Sequence, residues 1–149
     1  ADVPFFINGS NAWVEGIGEK ITALEPAHPL PAARFVVVKP AAGLDTKGIF
    51  TSPLLQRDTN NATIEDFAAN HFDFGHNDLQ PVAEALCPDV KKVRNWLESL
   101  GLQARMTGSG SAVFAQMKQA DFSIAEQCNW TIKICENLPS HPLKEWVAD

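Results

Sequence analysis

The sequence predicts an α+β fold, a sandwich of split βαβ order of the ferredoxin-like kind. Three observations lead there: an unbroken apolar run from Phe35 to Val38 that reads as a buried strand, two successive helical stripes between Leu79 and Leu100, and a glycine turn at residues 107–111 flanked by two alternating segments. From residue 35 onward the order is strand, helices, strand, strand, helix, strand.

Each element follows from local chemistry. Asp2 precedes Val3-Pro4, a start that the first turn of a helix tolerates, and Gly9 ends that short apolar piece. Trp13 to Ile21 reads as strand, Gly-x-Gly turn and strand, with Gly16 and Gly18 supplying the permissive backbone. The connector EPAHPLP, residues 25–31, can continue neither a ladder nor a helix and marks a boundary between units. After it, the strand at Phe35–Val38 is closed by Lys39-Pro40. Asp45 or Thr46 caps a short helix that Pro53 stops, and residues 54–62 are a polar loop. Thr63-Ile-Glu-Asp66 opens another short helix with a capping-box pattern, and Asn77 caps the next.

That next helix carries Leu79, Val82, Ala83 and Leu86 at helical spacing. A further helix starts at Pro88 and carries Val90, Val93, Leu97 and Leu100 before Gly101, which suits a left-handed C′ position. Both stripes are expected to face the core. Gln103 to Thr107 and Ala112 to Met117 form a hairpin around the glycine turn, Asp121 caps a short helix, and Trp130, Ile132 and Ile134 alternate along a last strand. The tail, ENLPSHPLKEWVAD, is expected to wrap the surface with Trp146 packed down.

Composition bounds the function. A chain of 149 residues, 45% apolar and 20% charged, can build one core of ordinary domain size with room for a fragment of a second. A net charge of -6, with twelve scattered Lys and Arg, argues against a nucleic-acid partner. The apolar runs are too short to span a bilayer, so no membrane partner and a cytoplasmic location are expected. Cys87, Cys128 and Cys135 form neither an even set nor a C-x-x-C pair, which fits a reducing compartment and small core residues. His71 and His76 lack metal-ligand spacing, and His28 and His141 sit beside prolines, so no metal ligands are assigned.

Two stretches carry a resemblance. ADVPFFINGSNAWVEGIGE, residues 1–19, sets the carboxylate of Asp2 in an A-D-V-P-x-F context, and MTGSGSAVFA, residues 106–115, is a glycine loop between two strands. Together they resemble the GHMP kinase family. Residues 1–19 resemble the segment holding that family's catalytic Asp, and residues 106–115 are similar to its third motif. The resemblance covers essentially the whole chain, strongly at these two stretches and loosely between them. The family's P-x-K-x-N strand with its catalytic Lys, and its P-x-G-G-G-L-G-G-G-S-S loop around the ATP phosphates, have no counterpart in these 149 residues. The resemblance therefore implies the carboxy-terminal half of such a kinase, cut from a longer protein. Residues 1–33 would be the remnant of the ATP-binding N-terminal domain and 34–149 the ferredoxin-like C-terminal domain.

The junction of ADVPFF with AWVEGIGE resembles the branch of the family that phosphorylates the 2-hydroxyl of a cytidine-diphosphate-linked methylerythritol in non-mevalonate isoprenoid biosynthesis. On that implication the intact protein is an ATP-dependent phosphotransferase with an alcohol acceptor. ATP and Mg²⁺ would be held mostly by the missing N-terminal half, which is then this chain's partner, and the fragment alone would be inactive. Asp2 would accept the hydroxyl proton or act as a fixed charge that orients it; without the family it reads as a helix cap. Phe50 resembles the aromatic that stacks on the cytosine, and Thr46 a substrate contact, although Asp45-Thr46 stands where the family shows Pro-Thr. Taken alone, Phe50 reads equally as a core side chain.

Thr107, Gly108, Ser109, Gly110 and Ser111 have glycines where a tight turn can leave backbone N–H groups facing outward, which suits a phosphate neighbour; alone, the motif also reads as a plain hairpin turn. Asp2 and this loop are expected to border one anion-accepting cleft. Two other classes fit the same pattern: a GHMP kinase acting on homoserine or a mevalonate, and a non-catalytic ferredoxin-like ligand-binding module.

Overall fold

The computed structural model of the protein describes residues 3–24, 30–118 and 129–143. These group into two units, one drawn from residues 1–32 and 137–149 and the other spanning Ala33–Glu136.

In the first unit, Val3–Asn8 forms a short helix, α1, with Pro4 in its first turn. Gly9, at φ 66°, ends it and returns its N–H to the Phe5 carbonyl at 3.1 Å. Ala12–Glu15 (β1) and Lys20–Ala23 (β2) pair antiparallel, Glu15 opposite Lys20. Gly16 and Gly18 turn the chain between them at φ 69° and 105°, a region that costs a side chain but not glycine. Residues 137–143 belong to this unit. Ser140 bridges Ser10, the His141 N–H donates to the Gly9 carbonyl at 2.8 Å, and the Asn137 amide donates to the Pro31 carbonyl at 3.1 Å.

The second unit is built on Arg34–Pro40 (β3), whose Val36 and Val38 are fully buried. Thr46–Phe50 (α2) and Ile64–Asn70 (α3) follow, then a single 3₁₀ turn at His71–Asp73. Thr63 caps α3 by accepting the Asp66 N–H, while the Asp66 carboxylate accepts the Thr63 hydroxyl at 2.8 Å. Leu79–Leu86 (α4) and Pro88–Ser99 (α5) carry the two apolar stripes. Ala104–Met106 (β4), Val113–Met117 (β5) and Trp130–Glu136 (β6) complete the unit.

The four strands lie in the order β4-β5-β3-β6, every neighbouring pair antiparallel. Thus β3 and β4 run parallel with β5 inserted between them, and the helical segment connecting them makes the crossover. This is the split βαβ arrangement of a ferredoxin-like α+β sandwich. The core fills one face of the sheet: Val36, Val38, Met106 and Val113 meet Val82, Val90, Val93 and Leu97 from the helices. Burying each such side chain contributes about 1.5–3 kcal/mol.

Two expected core positions differ. Leu86 is exposed, because the chain turns out of α4 at the extended Cys87, whose own side chain takes the inward place. Ile134 is also exposed; it lies toward the far end of an edge strand, whereas Trp130 at the near end packs edge-on against Trp96 of α5. The helix expected after Asp121, together with Cys128, Trp146 and most of the 25–31 connector, lies outside the described residues. Among the described residues no helix is long and apolar enough to cross a membrane.

Candidate functional site

The loop joining β4 to β5 is held by its carbonyls. Its base closes with the Thr107 N–H donating to the Ala112 carbonyl at 3.0 Å, and its tip with the Gly110 N–H donating to the Thr107 carbonyl at 3.0 Å. Gly108 and Gly110 take φ 54° and 86°. At Gly110 space matters as well, since a Cβ there would stand 2.8 Å from both Leu44 Cδ1 and Met106 Sδ. The Ser111 hydroxyl is buried and donates to the Ala42 carbonyl at 2.8 Å, so it serves the fold. Among the described residues the backbone N–H groups of Gly108, Ser109 and Ser111 meet no protein acceptor. Successive free N–H groups, such as those of Gly108 and Ser109, can form a concavity suited to anionic oxygens.

Side chains from the start of α4 complete the outer edge of β4. The Asn77 amide donates to the carbonyls of Met106 at 2.9 Å and Gly108 at 2.8 Å, while its Oδ1 accepts the Leu79 N–H at 3.0 Å. Gln80 Oε1 accepts the Met106 N–H at 2.8 Å. Gln80 in turn donates to Glu84 at 2.9 Å, and Glu84 holds Arg94 of α5 at 2.7 Å. Arg94 also donates to Glu98 at 2.8 Å, and these bonds to Glu84 and Glu98 raise Arg94 above the ordinary guanidinium range. The helix pair that supports the loop is therefore cross-linked by charge.

Across from the loop, α2 begins at Asp45, whose carboxylate accepts the N–H groups of Lys47 at 3.1 Å and Gly48 at 3.0 Å. Ile49 takes the core position of this helix and is fully buried. Phe50, one residue on, points elsewhere and is 52% exposed. Arg57 fixes the exit of the helix by donating to the Phe50 carbonyl at 2.6 Å and the Leu55 carbonyl at 3.1 Å. Thr46 and Ser109 share a hydroxyl hydrogen bond of 3.0 Å, which joins α2 to the glycine loop.

Phe50, Thr107 and Gly108 border one open cleft of about 610 Å³, a size suited to a small organic molecule. His76 and Asp78 line the same cleft, paired at 2.8 Å, and Asp78 also accepts the Thr59 hydroxyl at 3.0 Å. Arg105 reaches it from the opposite face of the sheet. Its guanidinium stacks on Phe114 at 5.5 Å and donates to the carbonyls of Phe72, Phe74 and Gly75, pinning that segment. Burial lowers Arg105 from its ordinary range, an effect that Asp73 partly offsets.

The structure thus brings together Thr46, Phe50 and the Thr107–Ser111 loop. Asp2 lies outside the described residues. Among the described residues no group of three or more His, Cys, Asp or Glu is placed to hold a metal ion. The long-range contacts of Asn77, Gln80 and Arg105 are not legible in the sequence. Asn77 sits where a helix cap belongs, and nothing in the spacing tells that its amide also reaches two carbonyls about thirty residues away.

Comparison with known proteins gives concordant results. Residues 54–128 match the family model described as GHMP kinases C terminal. A protein of Paracidovorax citrulli named 4-diphosphocytidyl-2-C-methyl-D-erythritol kinase is 62% identical over 149 residues, covering 100% of this chain and 52% of its own length. A Delftia acidovorans protein of the same name is 62% identical over 150 residues, with the same 100% and 52% coverage. The chain spans about half the length of the curated relatives it matches. A crystal structure of 4-(cytidine 5'-diphospho)-2C-methyl-D-erythritol kinase superposes with a TM-score of 0.64 at 30% identity, covering 79% of this chain and 44% of that one. With its family model matched and its sheet in split βαβ order, the chain belongs to the GHMP kinase family and carries that family's C-terminal domain.

Proposed function

We propose that this chain is the carboxy-terminal part of an ATP-dependent kinase that phosphorylates the 2-hydroxyl of 4-diphosphocytidyl-2-C-methyl-D-erythritol. The observation that carries the reading is the pairing, on one cleft, of a half-exposed aromatic with a loop whose N–H groups are free. A flat base needs the first, and a phosphate chain needs the second. The relatives of that name, similar along the full length of the chain, support it.

In this reading Phe50 takes the face of the cytosine and Thr46 offers its hydroxyl to the substrate beside it. The loop at 107–111 lies near the phosphates. Asp2 acts on the acceptor hydroxyl, by taking its proton or by orienting it as a fixed charge. Phosphoryl transfer passes through a loose transition state in which positioning and charge neutralisation matter more than base strength, so an Asp of ordinary acidity suffices. ATP and Mg²⁺ are bound mainly by residues beyond this chain, which is its partner in the cytoplasm.

The test is made in the longer polypeptide that includes this segment. Asp2→Asn is expected to lower kcat by orders of magnitude with little change in KM, because it removes a group used mainly in the transition state. Equal turnover by the variant and the parent overturns the assignment. Turnover of homoserine or mevalonate in place of the cytidyl substrate moves the protein to another branch of the family.

A further inference from the structure

We propose that Asn77 is the positioning residue of the glycine loop, setting the direction in which the loop presents its N–H groups to an anion. The inference rests on the reading of the loop as a phosphate neighbour and adds the residue that aims it.

The argument is geometric. In a trans peptide the C=O and N–H point in opposite directions. The Asn77 amide holds the Gly108 carbonyl at 2.8 Å, so the Ser109 N–H, which belongs to the same peptide plane, is turned away from Asn77. The same amide holds the Met106 carbonyl at 2.9 Å, which turns the Thr107 N–H inward, onto the Ala112 carbonyl. The Thr107 carbonyl is engaged by the Gly110 N–H, so the Gly108 N–H points out of the turn. One side chain thus fixes two of the peptide planes that shape the loop. Glycine at 108 and 110 makes this bracing necessary, since each leaves its backbone freer to rotate than any other residue would.

Asn77 is itself held. Its Oδ1 is engaged by the Leu79 N–H, which leaves the amide group facing β4 and excludes the flipped rotamer, in which an oxygen would meet the two carbonyls. Gln80 binds the same stretch at the Met106 N–H and touches no peptide beyond it. Gln80 therefore serves the stem, and Asn77 serves the loop.

The two residues provide the experiment. The amide resonances of Gly108, Ser109 and Ser111 are followed by NMR in the 149-residue chain while inorganic phosphate is titrated. In the parent chain these amides are expected to shift saturably. Asn77→Ser keeps an oxygen to cap Leu79 but cannot bridge the two carbonyls, and it is expected to weaken phosphate binding at these amides by about tenfold or more. Gln80→Ala removes a hydrogen bond from the same stem and is expected to leave the phosphate affinity within about twofold.

If Asn77→Ser does not fold, Asn77→Thr, which keeps an uncharged capping oxygen and likewise cannot bridge the two carbonyls, is read in the same way. Unchanged affinity in the Asn77 variants, or an equal loss in Gln80→Ala, overturns the positioning role while leaving the phosphate reading intact. No response of the parent chain overturns both.

Discussion

At the residue scale, adjacent side chains in α2 divide two tasks. Ile49 is fully buried and anchors the helix, whereas Phe50 stands half exposed beside the glycine loop, with its backbone fixed by Arg57. This division makes Phe50 separable from the fold. Phe50→Ala, in the longer polypeptide, is expected to raise KM for the cytidyl substrate by about tenfold or more, in keeping with the loss of one base stack of about 1–3 kcal/mol. Thermal stability should change little, because an exposed ring loses little burial. An unchanged KM, measured in steady-state kinetics, removes Phe50 from the substrate site.

At the element scale, α2 has only five residues, far below the length at which a helix holds itself in water. Its form depends on the Asp45 cap and on Ile49. Asp45→Ala removes the acceptor of two N–H groups and is expected to cost about 1 kcal/mol, read as a lower midpoint in urea. An unchanged midpoint shows that Ile49 and the Thr46–Ser109 bond suffice. The caps, stripes and turns are legible in the sequence because each is written within a few residues: Asp45, Thr63, the stripes of α4 and α5, and the glycines of the β4–β5 turn. Leu86 and Ile134 depart from the expected burial because periodicity does not tell where an element ends relative to its neighbours. The bonds that hold the loop and its stem, from Asn77 and Ser111 to the loop and from Gln80 to the stem, join residues 26 to 69 positions apart, and contacts of that separation leave no local trace. Thr46, Phe50 and residues 107–111 are recognisable through the family resemblance rather than through spacing.

At the scale of the whole molecule, the P-x-G-G-G-L-G-G-G-S-S stretch expected to wrap the ATP phosphates is not among these 149 residues, which leaves the loop at 107–111 as the phosphate neighbour. Magnitudes then decide what the chain can do alone. Three N–H groups donating to phosphate oxygens contribute about 1.5–3 kcal/mol each, at most about 9 kcal/mol in all. Association costs at least about 4 kcal/mol, and a micromolar dissociation constant needs about 8 kcal/mol net. The loop therefore falls short of micromolar ATP binding by several kcal/mol. Calorimetry on the 149-residue chain is expected to find ATP affinity no tighter than about 0.1 mM, and a coupled assay is expected to find no turnover. In the proposed reading, a longer polypeptide that supplies such a loop should show both. Micromolar ATP binding by the short chain alone would mean that these residues hold a nucleotide cradle of their own, and the division of labour between the two halves would have to be redrawn.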